Sequence, residues 1–163
     1  MHQYLKDQNV TITGVLIYVL IAAVTYYLLP RLLSYCTGRA KNDRRDVLLI
    51  ASLIIAISVL LPSPLIHGQN TNFVTHFVGG GIFTGMIWLY IKNYIGWKMT
   101  WLVELISLYL LVCGLGVANE MMEFLFNGIG VIHIPSNDTW WDLFANISGS
   151  MAFWLVYKLK SLK

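Results

Sequence analysis

The sequence predicts an all-α bundle of about five transmembrane helices in a single domain, residues 1–163. Of its 163 residues, 57% are hydrophobic and only 12% are charged, and the apolar residues fall into long runs. Soluble domains have about 25% charged residues. Crossing a hydrocarbon core of about 30 Å takes about 20 apolar residues in a helix, which satisfies its own backbone hydrogen bonds. The composition therefore indicates a polytopic membrane protein.

Five segments approach the length of a span, and Pro or Gly separates each from the next. The first begins after Lys6 and lacks a small-residue cleavage site, so we expect a retained helix rather than a signal peptide. Pro30 is expected to end it. The predicted spans cover residues 10–29, 46–66, 73–91, 101–126 and 140–157.

Lys and Arg collect on one side of this predicted topology. The residues are Arg31, Arg39, Lys41, Arg44 and Arg45 in the first connection, Lys92 and Lys98 in the third, and Lys158, Lys160 and Lys163 at the C-terminus. The opposite side has only Lys6 of the N-terminal tail, and the second and fourth connections contain neither residue type. Because cytoplasmic loops retain positive charge, we expect the N-terminus outside and the C-terminus in the cytoplasm. Topology accounts for the net charge of +3, so we expect no nucleic-acid partner.

Polar side chains recur near the outer ends of three predicted helices. They are His76 in the third, Glu120 and Glu123 in the fourth, and Asp142 and Asn146 in the fifth. Residues three or four apart share a helix face, and neighbouring small residues allow helices to approach closely. Intramembrane ionisable residues usually face a bundle interior or a wet cavity. We therefore expect one shared pocket that opens to the outside.

The residue types in this pocket suit acid and base chemistry or a cation. Carboxylates that lie close together in a low-dielectric site cannot all stay ionised unless a proton or a metal is shared. His76, Glu120, Glu123 and Asp142 could ligate a divalent ion such as Zn, Mn or Mg, although no tight ligand motif is present. Alternatively, His76 acts as a general base, the carboxylates as acid or base groups, and Asn146 as an orienting donor.

Structural interpretations compete with these roles. Asp138 can cap the fifth helix, and His67 and His133 fit ordinary loop positions. His76 and Asn72 can form a packing hydrogen bond between helices. The glycine run that follows His76 lies inside a span, so it favours close helix packing over a phosphate-binding loop. Near the cytoplasmic face, Glu104 follows Lys98 closely in the sequence.

The motifs around these polar residues resemble the VanZ-like family of small bacterial integral membrane proteins. The resemblance covers about residues 72–150, with THF opening a glycine-rich span, a Glu-containing end to the next span, and DLFANISG in the last. It implies a multi-pass protein of a bacterial cell membrane. The founding type is linked to low-level glycopeptide-antibiotic resistance, and no established biochemical activity comes with the family.

Three functions fit these features, and they leave open whether the protein is an enzyme. The first is a cell-envelope protein whose outer pocket binds or processes a lipid-linked or cell-wall component. The second is a proton or cation transport component, which would need a polar path from the pocket to Glu104 through mostly apolar residues. The third is a noncatalytic membrane subunit or scaffold. An oligomer is compatible with all three.

Overall fold

The computed structural model describes residues 12–38, 45–66, 69–70, 72–130 and 139–161. In this part of the chain, the helices are α1 (Ile12–Thr37), α2 (Asp46–Ser58), α3 (Phe73–Ile95), α4 (Trp101–Gly128) and α5 (Thr139–Ser161). A short antiparallel pair, β1 (Leu65–Ile66) with β2 (Gln69–Asn70), lies between α2 and α3. The predicted all-α fold class is confirmed for the described residues.

Three of the five helices in the described residues are long and apolar enough to cross a membrane. They are α1, α3 and α4, with mean hydropathies of 1.9, 1.4 and 2.0 over their most apolar windows. Helix α2 has 13 residues, and a rise of 1.5 Å per residue makes such a helix only about 20 Å long. Helix α5 is long enough, with 23 residues, but several of its buried residues are polar, and it is not among these three helices. The described helices thus agree with a membrane protein that contains at least three candidate spans.

The end of α1 differs from the sequence prediction. The helix does not stop at residue 29 but continues through Pro30 to Thr37. Proline lacks the backbone N–H that would bond the preceding turn, so it often ends a helix. In long apolar helices, neighbouring helices and local adjustment can compensate for that lost bond. Pro30 is fully buried, which indicates that its ring packs inside the bundle.

Helix α2 is shorter than the predicted segment 46–66. It ends at Ser58, and the following residues form a turn and then β1. Pro62 and Pro64 explain why the helix cannot continue to residue 66, because proline disfavours a helical conformation in the residue before it and cannot donate a backbone hydrogen bond. The prediction overestimated the length of this helix because it included the apolar residues that follow Ser58.

Helices α3 and α5 form the centre of the bundle. Helix α2 packs on α3, α1 packs mainly on α2, and α4 packs mainly on α5. One hydrophobic core joins the first three helices, and a smaller cluster of Trp88, Leu108 and Val112 lies between α3, α4 and α5. The flanking helices α1 and α4 bury only 11% and 22% of their most apolar windows, against 50% for α3. Their exposed apolar surface is suited to contact with lipid.

Glycines bring the backbones of α3 and α5 into contact. Residues His76–Ile82 of α3 form a π-helical segment, a type of turn that is rare and often found at functional sites. A Cβ added at Gly81 would lie 2.5 Å from the carbonyl oxygen of Asn146, and one at Gly149 would overlap the carbonyl oxygen of Phe77. The interpretation of the glycine run as close helix packing is confirmed.

Candidate functional site

The first turn of α3 is anchored to the last residue of α2 and to the segment that follows α2. The Val74 backbone N–H donates to Ser63 Oγ at 3.0 Å, and Thr75 Oγ1 donates to the Ser58 carbonyl at 3.3 Å. These bonds fix the direction in which α3 starts, and with it the position of His76. Only 8% of His76 is exposed. We call this end of the bundle the His76 end.

His76 meets two polar residues of α5. Its Nε2 lies 3.3 Å from Oδ2 of Asp142, which is 1% exposed. Asn146 lies one turn further along α5 and interacts with the same imidazole. The Asn146 amide fits between Gly80 of α3 and Gly116 of α4, because a Cβ at either glycine would contact it. The glycines therefore create the space in which this polar group is buried.

Helix α4 adds two carboxylates to Asp142. Glu120, Glu123 and Asp142 each offer one oxygen, and these oxygens all lie within 4.8 Å of one another. Glu120 and Glu123 are half-buried. The Asn119 amide donates to Glu123 Oε1 at 2.6 Å, which confirms that these two residues share a surface of α4. We refer to Glu120, Glu123 and Asp142 as the carboxylate cluster.

The structure brings all five predicted pocket residues to the His76 end, but in two groups. The carboxylate cluster is one group, and His76 with Asp142 and Asn146 is the other; Asp142 belongs to both. His76 is not part of the carboxylate cluster, whose ligand atoms all lie within 4.8 Å of one another. The His76 backbone N–H donates to the Asn72 carbonyl, and the predicted packing bond between their side chains stays a prediction.

Asp138, His67 and His133 lie outside the described residues.

This arrangement can hold a cation next to a base. Carboxylate oxygens are the preferred ligands of hard divalent ions such as Mg²⁺ and Ca²⁺. The contact between His76 and Asp142 orients the imidazole, as carboxylates do for histidines in many metal and catalytic sites. The site therefore combines acidic oxygens on α4 with an oriented imidazole on α3, and Asp142 connects them.

Tyr18 of α1 is a neighbour of the site that sequence reasoning missed. Its ring lies against the α3 glycines, because a Cβ at Gly79 would be 3.6 Å from Tyr18 Cε1. Its phenol is within electrostatic range of Glu123 and Asp142. A single tyrosine in an apolar helix gives no sequence signal of this kind, since only the packing of α1 places it there.

An open groove runs between α4 and α5 beside the carboxylate cluster. Its volume is about 510 Å³, within the range of about 300–1,000 Å³ that is usual for small-molecule sites. The lining residues are Val117, Glu120, Met121, Phe124 and Leu125 of α4 with Thr139 and Leu143 of α5. Glu120 thus belongs both to the cluster and to the wall of an otherwise largely apolar groove.

The opposite end of the bundle, which we call the Glu104 end, contains a compensated ion-pair network. Glu104 is 2% exposed and pairs with Lys92 at 2.5 Å and with Lys158. Lys92 also donates to the Tyr157 hydroxyl at 3.1 Å. Lys98, the nearest basic residue before Glu104 in the sequence, is exposed and forms none of these pairs. Glu104 turns instead towards α3 and α5, where it joins three helices.

Asp142, Asn146 and Ser150 are buried at four-residue steps along α5, leading from the His76 end towards Lys158. The Ser150 hydroxyl donates to the Ile147 carbonyl of its own helix. The apolar cluster of Trp88, Leu108 and Val112 packs against Ile147, Trp154 and Tyr157 of α5. The two polar ends are therefore separated by a hydrophobic layer.

No family model, curated protein or solved structure matches the chain. The resemblance to the VanZ-like family therefore stays a prediction.

Proposed function

We propose that the protein is a multi-pass, VanZ-like protein of a bacterial cell membrane that holds or processes a lipid-linked component of the cell envelope. In this proposal, the carboxylate cluster binds a divalent cation, and the groove beside it receives the ligand. The observation that carries the proposal is the convergence of three carboxylates within 4.8 Å, one of which also lines the groove.

The proposed membrane orientation follows from the charges and tryptophans at the two ends. Lys92 and Lys158 lie at the Glu104 end, which the positive-inside rule assigns to the cytoplasm. The His76 end then faces outwards. Trp101 at one end is 62% exposed and Trp140 at the other is 81% exposed, as expected for the aromatic belts at the two membrane interfaces.

A cation is favoured because the carboxylates repel one another. Two unit charges at 4.8 Å repel by about 3 kcal/mol even at an effective dielectric constant of about 20. A divalent ion held by these three carboxylates would replace that repulsion with attraction and would supply a Lewis acid for a bound ligand. His76, held by Asp142, would then be available to accept or donate a proton at the ligand.

A Mn²⁺ titration of the purified protein, followed by the loss of the free-ion electron paramagnetic resonance signal, tests this proposal. We expect about one bound ion per chain, with Asp142→Asn weakening the affinity by more than about tenfold. Asp46→Asn is the matched control, because Asp46 is exposed at the start of α2. Equal Mn²⁺ affinity in the wild type and Asp142→Asn would contradict a cation site and favour a structural role for the cluster.

Proton or cation transport is a second candidate, favoured by the buried polar residues along α5. Asp142, Asn146 and Ser150 extend the site into the bundle, and buried acidic chains serve this purpose in carriers. The hydrophobic layer at Leu108 and Val112 separates this path from the Glu104 end. A pH-sensitive dye inside proteoliposomes distinguishes the candidates. Proton flux in the wild type that disappears in Asp142→Asn supports transport. No proton flux in the wild type supports the first proposal.

A further inference from the structure

The groove between α4 and α5 has an apolar floor and one acidic wall. Met121 and Phe124 are 62% and 78% exposed, so the groove is open along the surface of α4 that faces away from the bundle. If α4 crosses the bilayer as proposed, this opening faces the acyl chains. A ligand can then enter sideways from the lipid phase. From Val117 to Leu125 the groove follows eight helical steps, or about 12 Å at 1.5 Å per residue.

The charge of the groove selects one kind of head group. Among the described residues that line it, Glu120 is the only charged one. Glu123 and Asp142 each have an oxygen within 4.8 Å of one of its carboxylate oxygens. The connection from residue 131 to 138 contains neither Lys nor Arg. Among the described lining residues, a phosphate head group would therefore meet carboxylates and no cationic side chain, whereas an ammonium group would gain an ion pair in a poorly solvated position.

We propose that this groove binds an amphiphile with an alkyl chain and an ammonium head group, with the ammonium paired to Glu120 and the chain lying along Val117, Met121 and Phe124. This inference rests on the membrane placement proposed above and concerns the same groove; it names a ligand that occupies the groove when no divalent ion is bound, not one on which such an ion would act. It does not require a bound metal. Because the ammonium and a divalent ion would both use Glu120, the two cations compete.

The charge preference is tested with ligands that share one chain and differ in head group. Dodecylamine, dodecanol and dodecyl phosphate are titrated into the full-length protein in phosphatidylcholine nanodiscs, and binding is followed by native mass spectrometry. We expect dodecylamine to bind the wild type at least about tenfold more tightly than dodecanol, and dodecyl phosphate to bind worst. Glu120→Gln, which keeps the side-chain shape, should abolish the preference for the amine, while the exposed-site control Asp46→Asn keeps it.

A second pair of variants tests the position of the chain. Val117→Phe narrows the groove, whereas Val103→Phe makes the same change at an exposed position of α4 outside it. We expect Val117→Phe to weaken binding of both dodecylamine and dodecanol several-fold, with no effect of Val103→Phe. Tight binding of dodecanol or dodecyl phosphate, or an amine preference that persists in Glu120→Gln, would overturn the inference.

Adding Mn²⁺ to the same titrations separates this inference from the proposed divalent site. Mn²⁺ binding without an amine preference overturns the ammonium groove and leaves the divalent site standing. An amine preference without Mn²⁺ binding supports the groove and contradicts the divalent site. If both are correct, Mn²⁺ weakens dodecylamine binding in the wild type, because each cation excludes the other from Glu120.

Discussion

At the scale of single residues, Asp142 connects the two groups of the site. It contacts His76 at 3.3 Å and offers an oxygen within 4.8 Å of those from Glu120 and Glu123. A carboxylate that is 1% exposed has a large desolvation cost, which specific partners must offset. Asp142 therefore links the imidazole of His76 to the carboxylates of Glu120 and Glu123.

A double-mutant cycle of His76→Gln and Asp142→Asn measures that coupling. Because the two side chains are in contact in a buried position, we expect a coupling energy of about 1–3 kcal/mol in the free energy of unfolding. The measurement is reversible denaturation in mixed micelles. His76→Gln combined with the remote Asp46→Asn is the control and should be additive. Additivity in the His76 and Asp142 cycle would show that their contact contributes nothing to stability.

At the scale of helices, the backbone contact between α3 and α5 positions the site. Gly149 packs on the carbonyl of Phe77, and Gly80 leaves space for the Asn146 amide. A larger residue at either position would separate the two helices and move His76 away from Asp142. The glycines thus have a positioning role, which a helix-packing interpretation alone would not suggest.

Gly149→Ala should therefore destabilise the protein. Its Cβ would overlap a backbone atom that cannot rotate away, and overpacking of this kind costs about 1–3 kcal/mol. Gly114→Ala is the control, because a Cβ there meets nothing within 4 Å and alanine is the better helix former. Thermal unfolding in detergent should show a lower midpoint for Gly149→Ala and an unchanged or higher one for Gly114→Ala. A midpoint in Gly149→Ala that matches the control would contradict the close contact.

The Glu104 network joins helices at the other end, and its loss should be costly. Glu104→Gln leaves Lys92 and Lys158 without the carboxylate that both contact, and removing one partner of a buried ion pair costs about 3–5 kcal/mol. Part of Lys158 is solvent-exposed, so we expect the lower end of this range. Lys98→Gln removes an exposed charge nearby and should change the free energy of unfolding little. A similarly small change in Glu104→Gln would show that the network is not structural.

At the scale of the whole molecule, the helical fold and the convergence at the His76 end were predictable from the sequence. Polar residues such as Asp142 and Asn146 stand out in an apolar helix, and their four-residue spacing predicts a shared face. Three features could not be predicted: the position of Tyr18 beside the site, the partners of Glu104 and the π-helical segment of α3. Each depends on how distant segments pack, whereas periodicity describes only one helix at a time.

The proposed orientation can be tested by cysteine labelling. In a Cys36→Ser, Cys113→Ser background, Ile129→Cys places an exposed thiol near the His76 end and Lys98→Cys one at the Glu104 end. A membrane-impermeant maleimide should label Ile129→Cys in intact cells and Lys98→Cys only after permeabilisation. The reverse pattern would show that the His76 end faces the cytoplasm.

The central claim is that the carboxylate cluster is a cation site open to the outside of the membrane. Binding of radioactive manganese to right-side-out membrane vesicles tests it most directly. In right-side-out vesicles, we predict that the wild type binds about one more ion per chain than Asp142→Asn does. In sealed inside-out vesicles, we predict equal binding by the two proteins. Equal binding by wild type and Asp142→Asn, or a difference seen only in inside-out vesicles, would contradict the claim.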